Sequence, residues 1–330
     1  MLRNVNAGIQ VTHWAIRLIA LLAVSCPVSA DKLFVSNERD NTVTVIDAET
    51  YERLAEIKTG RRPRGIISSP DRSKVYVCAG DDDLVNVIDS GSLQITRSLP
   101  SGADPELLDI DPTGQRIYIA NEDDALVTVM NEGDGDVLAT IPVGVEPEGM
   151  RVHPANQVTV ATSEETSMAH FINNNSVELV GNVLVDTRPR HAEYTRDGKQ
   201  VWVSSEIGGT VTVIDVESRK KLHRIGFQIR GMKPELLQPV GIRMSKDGAR
   251  AFVALGPANH VAVVNTTNYE IEKYILVGQR PWHMELHPDG TWLYVANGLS
   301  NDLTIIDVKA LKAVRSVPVG RLPWGIAYAK

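Results

Sequence analysis

Thr42-Val43-Thr44-Val45-Ile46-Asp47 is the stretch that decides the fold. It returns as Val85-Asn86-Val87-Ile88-Asp89, Val127-Thr128-Val129-Met130-Asn131 and, degraded, as Met168-Ala169-His170-Phe171-Ile172-Asn173. Val211-Thr212-Val213-Ile214-Asp215, Val261-Ala262-Val263-Val264-Asn265 and Leu303-Thr304-Ile305-Ile306-Asp307 complete seven copies. Their closing residues are 47, 89, 131, 173, 215, 265 and 307, a period of 42 broken by one step of 50. A fixed period of this length implies a repeat architecture.

Around each copy the same sequence of signals recurs. In residues 65–107 a short β-prone run, Gly65-Ile66-Ile67-Ser68, meets the turn Pro70-Asp71-Arg72-Ser73. Pro presets φ there, and counterparts such as His287-Pro288-Asp289-Gly290 end on Gly, which supplies φ > 0. Lys74 to Cys78 reads as a second strand, Val85 to Asp89 as a third and Leu93 to Leu99 as a fourth. Four short antiparallel strands repeated seven times predict an all-β, seven-bladed β-propeller. The run Leu33 to Asn37 begins at a second strand, and Gly325 to Ala329 is a lone first strand. Together they make one blade, so the C-terminal strand is expected to join the three N-terminal strands and close the ring.

Residues 1–30 read as a signal peptide and residues 31–330 as one propeller domain. Arg3 and Arg17 flank a short basic region ahead of an apolar run, Leu18 to Val24, too short to span a bilayer, and Val28-Ser29-Ala30 offers small residues for cleavage after Ala30. A periplasmic or secreted protein with no transmembrane segment in the mature chain is expected. Lipidation at Cys26 is the weaker alternative, since Ala23 and Pro27 fit a lipoprotein box poorly. Without residues 1–30 the chain holds 32 basic and 41 acidic residues, a charge of −9 that argues against nucleic acid as a partner. Cys78 is then the only cysteine, sits inside a strand pattern, and reads as a small buried hydrophobe.

Tyr294-Val295-Ala296-Asn297, Asp302 to Asp307, Val317-Pro318-Val319-Gly320 and Pro323-Trp324-Gly325-Ile326 closely resemble the YVTN β-propeller repeat, over all of residues 31–330. A seven-repeat, signal-bearing chain of this size resembles the exported propellers associated with alcohol oxidation that depends on pyrroloquinoline quinone (PQQ). That resemblance implies an accessory or binding protein rather than a dehydrogenase. It implies partners such as a periplasmic dehydrogenase, a cytochrome or a transporter component. Lactone-hydrolysing propellers share the repeat style and use acidic, Arg and His residues at the channel, so a lactonase-like hydrolase is the alternative. The residues that keep it open are Glu106, Glu148, Arg190 and His283.

The repeat also aligns the channel. The residue after each repeat's Pro is Arg64, Glu106, Glu148, Arg190, Val240, Trp282 and Trp324, and the next is Gly65, Leu107, Gly149, His191, Gly241, His283 and Gly325. Gly suits strands that crowd toward an axis, and His191 and His283 depart from it. Two Arg and two Glu in four consecutive blades, then Val and two Trp, suggest an amphipathic mouth for a ligand with an apolar body and an anionic end. The plainer reading pairs Arg64 with Glu106 and Glu148 with Arg190 across blades. His191 and His283, with Glu106 and Glu148, are candidate zinc or copper ligands for a metal carrier, although no His-x-His spacing joins them. His170, His153 and His260 read as ordinary strand, turn and loop residues. The runs Glu38-Arg39-Asp40, Asp81-Asp82-Asp83, Glu122-Asp123-Asp124 and Glu164-Glu165 lack calcium-loop spacing and read as a solvated rim, or a docking surface for a basic partner such as a cytochrome. The eight-residue excess lies within Gly226–Leu237 and brings Arg230, Lys233 and Glu235 to the same face, where an insertion often marks binding. No nucleophile elbow, zinc-protease, dinucleotide or haem-attachment motif is present, and the sequence requires no cofactor.

Overall fold

The structure is a computed structural model that describes Met1 and residues 31–330. The signal-peptide reading, with Cys26 and the cut after Ala30, concerns residues outside those described. Seven four-stranded antiparallel sheets form a ring. Blade one joins Pro323–Ala329 to Lys32–Asn37, Thr42–Asp47 and Arg53–Lys58, in that order from the axis outward. Blades two to seven take residues 63–100, 105–142, 147–184, 189–226, 239–276 and 281–318. The first strand of each blade packs beside the first strands of its neighbours around the channel. Ring closure therefore occurs as expected, with Phe34 paired to Ala327 and Leu33 to Tyr328.

Third strands are buried on both faces because blades stack on them from either side. Val43, Val45 and Ile46 are buried, as are Val211, Val213 and Ile214. Outer strands such as Arg53–Lys58 bury little but one residue, Ile57. This two-sided burial is why β-branched residues fill the motif. Cys78 is fully buried and its thiol is pushed up by that burial, as a structural cysteine's is.

One irregularity recurs in every blade and positions the channel residues. Pairing between first and second strands skips after the proline: Pro63 opposes Ala79, and the next pair is Ile66 with Val77. The intervening residues, such as Arg64 and Gly65, are left out of the ladder and turn toward the axis. The loop before the first strand and the loop between the second and third share one face, as the Arg61 N–H donating to Asp82 Oδ2 at 2.7 Å shows. Among the described residues no helix is long and apolar enough to cross a membrane.

Candidate functional site: a channel with a plugged centre

Arg64 and Glu106 meet across blades two and three, with Nη1 2.8 Å from Oε1. Arg64 also reaches Glu38 at 3.2 Å. Arg190 sits 3.5 Å from Glu148 but hydrogen-bonds Glu164 and lies 3.3 Å from Glu206. Every one of these groups is buried or half-buried. The plainer reading, pairing across blades, thus describes Arg64 and Glu106 well and Glu148 poorly.

Residues immediately before the proline complete the network. Arg62, Arg188 and Arg280 take φ of 56°, 61° and 58°, which swings their side chains over the mouth. Loop residues of the preceding blade hold two of these backbones, Asn41 accepting from the Arg62 N–H and Asn259 from the Arg280 N–H, both at 2.9 Å. Arg62 then bonds Glu106 at 3.0 Å and pairs with Asp104, and Arg280 pairs with Glu206 at 2.6 Å. Reading only the residues after the proline missed this shell, although the same alignment exposes it. The residue following each second strand is part of the same code: Glu38, Gly80, Glu122, Glu164, Glu206, Gly256, Gly298. Glu38, Glu164 and Glu206 stand where an arginine needs an acid, and Glu122 meets the Glu106 carboxyl instead. Gly stands where a bulky side chain lies, since a Cβ at Gly80 would fall 2.6 Å from Arg62 Nη2 and one at Gly298 2.5 Å from Trp282 Nε1.

The acidic runs therefore divide. Glu164 is buried and Glu38 half-buried against arginines, and Glu122 is half-buried against Glu106, a correction to their reading as solvated rim, while Asp81, Asp83, Asp123, Asp124 and Glu165 stay exposed. The apolar half of the mouth also differs from expectation. Val240 is buried between blades six and seven, Trp324 is buried in the channel centre against His283, and the Trp282 ring is covered by the Arg280 guanidinium 4.3 Å from its centroid. Ring stacking with a cation satisfies both groups and closes the surface a ligand would need.

Proton affinities at this mouth are pulled apart. Burial pushes Glu148 well up, with Glu106 and Glu164 adding to the rise against the pull of Arg190. Its Oε2 has no hydrogen-bond partner among the described residues, which suits a neutral carboxyl rather than an ion. Burial opposes the charge on Glu106 too, but Arg64 and Arg62 outweigh it and hold that carboxyl below the ordinary range. Glu122 is raised to about 8 by burial and by its hydrogen bond to the ionised Glu106. Asp104, Glu106 and Glu122 are close enough to share one ion, yet Arg62 already pairs with the first two.

Below the mouth, His191 and His283 do meet, although they stand two blades apart. Gly241, between them in the ring, lacks the Cβ that would fall 2.9 Å from His283 Cα and 3.3 Å from its Nδ1. Their ring centroids are 5.1 Å apart, and His283 lies 4.2 Å from Trp324. Burial, with Arg243 nearby, holds both imidazoles well below their usual range, so both are neutral at pH 7. The Ile242 N–H donates to His191 Nδ1 at 3.3 Å, and Arg243 Nη1 is 3.4 Å from Nε2. A neighbouring guanidinium opposes a metal cation as it opposes a proton, so this pair is a plug rather than a carrier site. The cavity left beside it is 20 Å³, room for about one water. His153, His170 and His260 are ordinary, bonded to Gly198 O, Asn182 Oδ1 and Ala258 O.

The insertion clamps outward. Phe227, Ile229 and Met232 pack on the core shared by blades five and six, and the Gln228 N–H donates to Tyr274 Oη at 2.9 Å on an outer strand. Arg230, Lys233 and Glu235 are exposed and make no ion pair among the described residues. Only Gln238 reaches the mouth, its Oε1 accepting from Arg280 at 3.2 Å.

Three comparisons bear on this geometry. A family described as a seven-bladed β-propeller lactonase matches residues 184–314. No curated protein matches the chain. Similar solved structures include hydrazine synthase of Kuenenia stuttgartiensis, 22% identical over 84% of this chain and 92% of that one, with a TM-score of 0.77. A putative 6-phosphogluconolactonase of Bacteroides fragilis is 22% identical over 93% of this chain and 99% of its own, also with a TM-score of 0.77. The periplasmic gluconolactonase of Pseudomonas aeruginosa is 17% identical over 92% and 99%, with a TM-score of 0.76. Identities this low carry the fold and not the chemistry. The chain is a seven-bladed β-propeller, and its residues 184–314 are similar to the lactonase propellers.

Proposed function

We propose that this YVTN-type propeller is an exported accessory protein whose channel face docks a basic partner protein. The partner we favour is a c-type cytochrome or dehydrogenase component of PQQ-dependent alcohol oxidation. The observation that supports this is a division of the face by blade. Loops between second and third strands expose acids in blades two to four, at Asp81, Asp83, Asp123, Asp124 and Glu165, and blade one adds half-buried Glu38 and Asp40 beside exposed Arg39. In blades five and seven the same loops present Ile207 and Leu299, 57% and 62% exposed, and at the outer edges of blades four and six Leu184 and Leu276 are 57% and 65% exposed. Leu236 on the insertion joins them. An apolar patch beside a mainly acidic rim, on which Arg61 and Arg321 are held by Asp82 and Asp40, suits a protein surface, the charge steering the encounter and the apolar loops retaining it. The locked ion network behind them gives that surface a rigid base.

Titration of a basic c-type cytochrome against the full chain at low salt is expected to show saturable binding that weakens steeply as salt rises. Asp123→Lys with Glu165→Lys, both exposed, should weaken it tenfold or more. Binding that ignores both salt and charge reversal overturns the reading. Lactone hydrolysis is the second reading, favoured by the family match and by a protonated Glu122 touching an ionised Glu106, an arrangement suited to acid–base work. Hydrolysis of glucono-δ-lactone that is lost in Glu122→Gln would establish it in place of the docking role.

A further inference from the structure

The other end of the channel carries a second ring of charge. The fifth residue of each first strand, counted from the proline, is Ile67, Asp109, Arg151, Glu193, Arg243, Glu285 and Ala327 around the ring. Signs alternate over five consecutive blades. Arg151 lies 3.6 Å from Asp109 and 3.1 Å from Glu193, and Arg243 lies 3.4 Å from Glu193 and 3.1 Å from Glu285. Two arginines shared among three acids leave this arc with no spare positive charge. Burial pushes the Asp109 carboxyl up against the pull of Arg151.

Above that arc opens a cavity of 410 Å³. Its upper wall holds Arg72, Arg196 and Lys246, from blades two, five and six. None of the three makes an ion pair among the described residues, in a protein whose net charge is negative. Arg196 is fixed in place: Nε donates to Ser245 O at 3.1 Å and Nη2 to Met244 O at 3.0 Å, leaving its remaining N–H groups free. The Arg72 guanidinium lies 5.6 Å from the Tyr328 ring centroid. The acids of the neighbouring turns are occupied: Asp197 accepts from Thr195, Asp247 from Ser245 and Asp289 from Thr291. The sequence carries a matching departure. At the turn position occupied by Pro70, Pro112, Pro154 and Pro288, blades five and six place Arg196 and Lys246 instead. Proline is the better turn former, so two adjacent cations there serve something other than the turn. Leu286, Pro288 and Ala327 supply an apolar side wall.

We infer that this end of the channel is a binding site for a small organic dianion, with carboxylate or phosphate groups on Arg72, Arg196 and Lys246 and the carbon skeleton against Leu286 and Ala327. Guanidinium and ammonium groups recognise either oxyanion. A cavity of this size sits within the range that holds small metabolites. The plug of His191, His283 and Trp324 separates this site from the docking face, so the two are independent.

Calorimetric titration of the full chain with succinate and with glucose 6-phosphate at low salt tests it, the two probes separating carboxylate from phosphate recognition. Saturable one-to-one binding of at least one probe is expected. Arg196→Gln with Lys246→Gln should weaken it tenfold or more. Lys246→Gln alone, at an exposed residue that leaves folding intact, should weaken it about threefold. Arg61→Gln, exposed on the opposite face, should leave it unchanged. No saturable binding of either probe up to about 10 mM, binding undiminished in Lys246→Gln, or equal loss in Arg61→Gln overturns the assignment.

Discussion

Glu148 illustrates what a single residue does differently from its neighbours. Repeat position alone makes it equivalent to Glu106, but Glu106 has two arginines and Glu148 has a guanidinium 3.5 Å away that is engaged by other acids. One is held ionised and the other neutral. For Glu148 and Glu122, whose folded-state affinities are raised, both folded and unfolded chains hold the proton below the ordinary glutamate range. Above it the unfolded chain releases protons that the folded chain keeps, so native stability falls as pH climbs toward 8. Glu106, whose folded-state affinity is lowered, acts in the opposite sense, its contribution being present above the ordinary glutamate range and lost as pH falls below it. Glu148→Gln should flatten the fall in melting temperature between about pH 5 and about pH 8 by roughly 2 °C or more relative to the parent chain, read by scanning calorimetry. Parallel profiles would show Glu148 to be ionised in the native state. None of this was legible in sequence. The residues after the proline were identified, but which acid takes which arginine depends on Arg62, Arg188 and Arg280, whose left-handed backbones carry them over the mouth.

At the scale of the element, the inner strand shows a packing rule that the sequence displays but does not explain. Gly65, Leu107, Gly149, His191, Gly241, His283 and Gly325 alternate small and large around the ring. Strands converging on an axis leave room for one bulky side chain per pair of blades. With seven blades the alternation cannot close, and Gly325 stands beside Gly65. His191 and His283 are therefore the large members of a steric pattern before they are anything chemical. Gly241→Ala would set a Cβ 2.6 Å from Trp282 O and 2.9 Å from His283 Cα, backbone atoms that cannot step aside. It should cost about 1–3 kcal/mol in chemical denaturation, whereas Gly226→Ala, with nothing within 4 Å, should cost much less. The insertion teaches a related point. Its position before a first strand is readable, but its apolar residues select the outer flank, which leaves Arg230, Lys233 and Glu235 in solvent.

The whole molecule depends on a closure that joins residues nearly 300 apart in sequence. Val35 pairs with Ile326, the Gly325 N–H donates to Ser36 Oγ at 3.0 Å, and Tyr328 Oη donates to Asp31 Oδ2 at 2.6 Å. Without Pro323–Ala329 the strand Lys32–Asn37 becomes an open edge and the neighbouring blades lose a wall. A chain ending at residue 322 should lose its cooperative thermal transition and aggregate, as followed by calorimetry and light scattering; a folded monomer would show that the ring tolerates a gap. The sequence by itself determined the seven blades, their four strands and the closure, because a 42-residue period imposes the same burial on every copy. Tertiary structure alone decided that the mouth is locked by ion pairs, that the histidines form a plug, and that the open, cation-lined cavity lies at the far end. Those outcomes turn on distances between side chains brought together from different blades, which no spacing along one repeat can specify.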